Sequence, residues 1–134
     1  MTLRIPNCGE LELLRTMLGG VAAGPLTIHL YSNDITPAND DETATYTEVS
    51  GMGYAPKTLL AADWTFAQLT SVSEATNLQQ TWTFTAGGPI TVYGYYITGA
   101  DDILRWAERF IPPFSAEIAG DMLRVTPKIT FSTY

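Results

Sequence analysis

Positive charge is what this chain has least of. Seven of its 134 residues are Lys or Arg against fourteen Asp or Glu, a formal net charge of −7. Binding a phosphate backbone needs a cationic stripe, and none is visible, which argues against nucleic acid as a direct partner. Charged residues of both signs make up only 16% of the chain, as expected where part of the surface is buried against partners. Cysteine occurs once, at Cys8, so an intrachain disulfide is excluded and no cysteine metal pattern exists. Cys8 itself reads as a small, half-buried apolar residue. No segment is long enough to cross a bilayer, and the opening MTLRIPNCGELELL lacks the apolar run of a signal peptide. The expectation is a protein with no membrane partner, made in the cytosol and leaving it, if at all, by some route other than ordinary secretion.

Catalytic motifs are missing as well. The sequence has no phosphate-cradling glycine loop, no HExxH, no GxSxG and no cysteine pair. Glu108 and Glu117 could be set up as the two carboxylates of a glycosidase, but strand glutamates near arginines more often form ion pairs. His29 has no Ser, Cys or carboxylate at a nucleophile spacing, and a lone strand histidine is ordinarily structural. We therefore expect no enzyme, no catalytic residue, no metal and no cofactor.

What the chain does have is Thr, Tyr and Gly within a composition that is 46% hydrophobic, which favours β-structure with polar, uncharged faces. One helix is expected, over NCGELELLRTMLGG. Asn7 caps it, Glu10 completes a capping-box-like pair, Leu11, Leu14 and Leu18 share a face, and Gly19-Gly20 ends it. That aliphatic face can lie on the domain's own sheet or project towards a neighbour. After it the period becomes two. In LTIHLYS, Leu26, Ile28 and Leu30 point one way, and Thr27, His29 and Tyr31 the other.

An acidic connection, SNDITPANDDETATYTEVSGMGY, follows. Its Asn33, Asp34, Asn39, Asp40, Asp41 and Glu42 could offer oxygen ligands to calcium, although the spacing fits no EF-hand loop and a solvated loop is the plainer reading. Further strands are expected at APKTLL, around Trp64 and Phe66, and around Trp82 and Phe84. In DMLRVTPKITFST, Leu123, Val125, Ile129 and Phe131 alternate with polar residues, and Pro127 places that strand at an edge or a bulge. The sum is an all-β fold, an antiparallel β-sandwich of jelly-roll or Greek-key style with one short N-terminal α-helix. Residues 1–134 form a single domain, with 1–20 as an N-terminal arm and helix.

The densest stretch is TVYGYYITGADDILRWAERF, a hairpin about a Gly-Ala-Asp-Asp turn. Its aromatics could stack on sugars, but strict alternation puts Val92 and Tyr96 on one face and Tyr93, Tyr95 and Ile97 on the other. Both faces then need burial, one in the core and one against a second layer or a partner. Arg105, Glu108 and Arg109 read as strand-face ion pairing.

The order of segments IPNCGELELLRTML, LYSNDITP, GYAPKTL, QTWTFTAG, GYYIT with LRWAERF, and GDMLRVTPKITFS resembles a group of small virion proteins of tailed bacteriophages, those of cyanophages and related phages above all. The resemblance runs along nearly the whole chain and implies a head decoration or cement protein on the capsid exterior. Its partners would be the major capsid protein and copies of itself, as a homotrimer bridging capsid subunits. Candidate interface residues are Leu3, Arg4, Ile5, Leu11, Leu14, Leu18, Tyr93, Tyr95, Trp106, Arg105 and Arg109, each with ordinary core or strand-face packing as its alternative. The competing expectation is a tail- or fibre-associated module that holds host glycans through Tyr and Trp.

Overall fold

The computed structural model describes residues 2–4, 25–68, 72–85 and 88–132. The expected helix, with Ile5, Leu11, Leu14 and Leu18, lies outside them. Ten strands run through the described residues: β1 (Thr2–Arg4), β2 (Leu26–Tyr31), β3 (Lys57–Leu59), β4 (Thr65–Gln68), β5 (Val72–Thr76), β6 (Gln80–Thr83), β7 (Ile90–Thr98), β8 (Leu104–Ala116), β9 (Met122–Val125) and β10 (Lys128–Ser132). Every pairing is antiparallel, and the strands make three sheets, in the orders β1-β8-β7-β2-β3, β10-β5-β4 and β6-β9.

One apolar core joins all three sheets. Ile28, Leu30, Leu59, Val92, Ile97 and Trp106 supply it from the large sheet, Trp82, Leu123 and Val125 from β6 and β9, and Ile129 from β10. The alternation read in β2 holds, with Ile28 and Leu30 wholly buried on the core side. Each such side chain contributes about 1.5–3 kcal/mol by leaving water. Trp64 meets Trp106 edge-on at 6.2 Å, and Trp82 donates its indole N–H to the Ala55 carbonyl at 2.9 Å.

Two sequence expectations are corrected by this arrangement. The stretch around Pro127 is two strands in two sheets: β9 pairs with β6, and β10 pairs with β5. Pro127 has no N–H for a ladder, so the chain leaves one sheet there and enters the other, and the Pro127 carbonyl accepts from Asn77 N–H. The second correction concerns β7. Val92 pairs with Phe114 but Gly94 with Arg109, so Tyr93 alone stands opposite residues 110–113. This bulge shifts the side-chain phase by one. Val92, Tyr95 and Ile97 share the core face, while Tyr93 and Tyr96 join the cluster on the opposite face.

Candidate functional site

The opposite face of the large sheet carries most of the polar chemistry. It presents His29 and Tyr31 from β2, Tyr93, Tyr96 and Thr98 from β7, and Leu104, Ala107 and Arg109 from β8. The acidic connection folds back over it. Ser32 N–H donates to the Thr47 carbonyl and Val49 N–H to the Leu30 carbonyl, so residues 47–49 run beside the end of β2. Ile35 and Tyr46 pack down onto Tyr31, Tyr96, Leu104 and Ala107.

Aromatic rings form a continuous layer there. His29 stacks on Tyr96 at 4.6 Å and 8°, Tyr96 stacks on Tyr46 at 5.0 Å, and Tyr46 meets Tyr31 edge-on at 4.9 Å. Carboxylates of the connection tie it down. Asp41 accepts from the Tyr46 hydroxyl at 2.7 Å, and Asp34 accepts from Arg109 at 2.6 Å. Arg109 also donates to the Ile35 carbonyl at 2.8 Å, with its guanidinium over the Tyr93 ring at 5.3 Å. Asn33 bridges the Thr45 carbonyl and the Thr47 N–H. Asn33, Asp34 and Asp41, considered above as calcium ligands, are thus engaged in holding the connection in place. Among the described residues no group of three or more His, Cys, Asp or Glu side chains is placed to hold a metal ion.

His29 is better connected than its sequence neighbours indicated. Its Nδ1 lies 2.8 Å from Glu48 Oε1 and its Nε2 lies 3.0 Å from Thr98 Oγ1. Glu48 also accepts from the Tyr54 hydroxyl at 2.8 Å, and that hydroxyl accepts from Leu30 N–H at 3.0 Å. The direction of both bonds follows the tautomer of the ring: with the proton on Nδ1, the ring donates to Glu48 and Nε2 can accept from the Thr98 hydroxyl. Carboxylate, imidazole and hydroxyl in that order activate a nucleophile in hydrolases. Here Thr98 is 2% exposed, so its oxygen is shut off from a substrate and the relay pins the connection to β2 and β7. The carboxylate was missed because it lies 19 residues from His29, and the hydroxyl 69. The one available signal was a run of polar-tipped aromatics on the non-core phase, which marks a covered face.

Burial pushes the hydroxyls of Tyr31, Tyr46, Tyr54, Tyr95 and Tyr96 well above the ordinary tyrosine value. Neighbouring carboxylates reinforce the shift: Asp41 at Tyr46, Glu48 at Tyr54, Glu108 at Tyr95.

The expected interface residues fall into separate places. Tyr95 and Trp106 are wholly buried on the core face, which puts both side chains out of a partner's reach in this fold. Tyr95 donates to Glu108 at 2.6 Å, and the Trp106 indole N–H lies near that hydroxyl without reaching hydrogen-bond geometry. Arg105 holds Asp101 inside its own hairpin, with both contacts at 2.9 Å. Burial works to raise the Asp101 carboxyl, but hydrogen bonds from Arg105 and Ile103 N–H outweigh it and hold the group below the usual value. Of the three residues read as strand-face ion pairing, Arg105 pairs with Asp101 and Arg109 with Asp34, while Glu108 accepts from Tyr95. Glu108 and Arg109 are consecutive in a regular stretch of β8 and so point to opposite faces. Leu3 pairs in register with Glu108 and Arg4 with Ala107, with Arg4 exposed. Tyr93 is half-buried beneath Arg109.

Searches against protein-family models, curated proteins and solved structures found no match.

Proposed function

We propose that this chain is a structural protein of a tailed-phage virion, a decoration or cement protein that binds the outside of the head and bridges capsid subunits. In this reading the packed sheets are an antiparallel sandwich of jelly-roll or Greek-key style, with residues 1–20 as arm and helix. Copies assemble as homotrimers, since a head-to-tail interface closes into a ring under cyclic symmetry. The protein is made in the host cytoplasm and ends on the capsid exterior, where a net charge of −7 never meets packaged DNA.

The structural observation that carries the reading is where large apolar side chains stay exposed. Ile111 and Ile118 are each 68% exposed and Met122 46%. Met122 belongs to β9, Ile118 lies in the turn before it and Ile111 lines a groove with Arg124 and Val125, while Leu60, Leu78 and Ile103 are exposed at other places in the chain. Scattered exposed apolar residues are ordinary, but a group beside one open strand fits a surface meant for a partner. Such contacts act by burial, at about 25 cal/mol per Å² of apolar area, and add up over many copies. The order of sequence segments supports the phage origin. The glycan-binding alternative needs accessible Tyr or Trp, and Tyr95 and Trp106 are taken up by the core.

Purified protein added to emptied or expanded capsids that lack it should bind and raise their disruption temperature. Absence of binding, with saturable binding to host polysaccharide instead, would refute the proposal.

A further inference from the structure

β9 pairs with β6 alone among the described residues, so its other edge is open. The bond from Phe84 N–H to the Asp121 carbonyl sets the phase of that ladder. Leu123 and Val125 therefore turn their backbone groups to β6, and Met122 and Arg124 turn theirs to the open side. Unpaired strand edges attract a further strand, and proteins ordinarily blunt or cover them.

A groove of about 420 Å³ lies there, walled by Ile111, Pro112 and Pro113 of the β8 bulge on one side and Arg124, Val125 and Thr126 on the other. Prolines have no N–H, so the β8 wall is a poor ladder partner and the hydrogen bonds must come from β9. Charge supplies the third observation. Arg105, Arg109 and Lys128 each hold a carboxylate. Among the described residues Arg4, Lys57 and Arg124 have none, and of these Arg124, exposed and touching the Met122 sulfur at 3.9 Å, is the one that lines the groove. A cation without a carboxylate, beside an apolar groove on an otherwise acidic chain, complements a negative side chain on whatever enters.

We infer that this groove docks an extended apolar segment carrying a carboxylate, which adds to β9 as a third strand of the β6-β9 sheet. Its main chain bonds to Met122 and Arg124, its apolar side chains cover Ile111 and the prolines, and its carboxylate meets Arg124. That the segment belongs to a capsid subunit rests on the function proposed above.

The test starts from a display library of random octapeptides panned on the intact chain. Enriched peptides should alternate apolar residues with Asp or Glu, and should shift the amide resonances of Met122, Arg124 and Thr126. Arg124→Glu and Ile111→Asp, both at exposed positions, should melt with the parent and weaken peptide binding by about tenfold or more. No enrichment, enrichment of basic peptides, or binding indifferent to both substitutions overturns the inference. Self-association that Arg124→Glu abolishes would give the groove to a second copy and overturn the partner segment. Capsids that take up Arg124→Glu as well as the parent overturn the groove while leaving the cement reading intact. Peptide binding at β9 without capsid binding upholds the groove and overturns the cement reading.

Discussion

Replacing Gly94 with Ala should be among the most damaging small changes in this protein. A methyl group at that position would run into the Glu108 backbone carbonyl and lie 2.6 Å from the Tyr31 hydroxyl and 2.7 Å from its Cε1. Comfortable carbon–carbon contact is about 3.5–4.0 Å, so the ring would have to retreat by roughly 1 Å. It has nowhere to go. Tyr31 is wholly buried, with Tyr46 edge-on at 4.9 Å, and the Glu108 carbonyl belongs to the strand paired with β7. Overpacking of this kind costs about 1–3 kcal/mol, and a clash with backbone belongs at the upper end. For a domain of this size each kcal/mol moves Tm by roughly 3–4 °C, so a fall of about 10 °C is expected. Gly51→Ala is the control. Its φ of +79° strains any L-residue, but nothing lies within 4 Å of the added methyl, so the cost should stay near 1–2 kcal/mol. Thermal melts by circular dichroism and urea titrations of both variants decide the matter. A Gly94→Ala protein that melts within about 2 °C of the parent would refute the claim that the Tyr31 ring is pressed against this glycine.

The five buried tyrosines give a pH prediction. Their folded-state pKa values lie above the unfolded value of 10.0, so the folded form keeps protons that the unfolded chain gives up. Stability is unaffected below about pH 10 and falls as pH rises beyond it. Phenolate absorbance from these residues should appear together with loss of near-ultraviolet circular dichroism, and ionisation of all five in an intact fold would contradict the burial argument. Arg109→Ala should cost about 1–2 kcal/mol through loss of the Asp34, Ile35 and Tyr93 contacts, and should speed proteolysis within residues 33–45. Arg109→Lys should restore little of this, because an ammonium lacks the planar fork that spans two acceptors and a ring. Equal protease resistance in all three proteins would show that Arg109 does not hold the connection.

Strand positions were legible because apolar alternation is local. Leu26, Ile28 and Leu30 declare their face within one segment, and Gly99 to Asp102 declare their turn. The facing of β7 was not legible. A bulge is created by four residues of β8 standing opposite Tyr93, and nothing inside the sequence around Tyr93 records that count. The acidic connection is exposed at Asp34, Asn39, Asp40 and Glu42, as its composition implies. Composition says nothing, however, of the partners that two of its carboxylates find far along the chain, Asp34 at Arg109 and Glu48 at His29.

By itself the sequence determined that this would be a β-rich, acidic chain without a disulfide, with its turns at the Gly, Pro, Asn and Asp clusters. Those features depend on backbone preference and side-chain period, which act over a few residues. Only the tertiary structure decided that Tyr95 and Trp106 belong to the core, that the second face of the large sheet is covered by the chain's own connection, and that among the described residues β9 pairs along one edge alone, with Arg124 beside a groove. Each of these depends on register and on contacts between residues distant in the chain, and burial is a property of what lies on top.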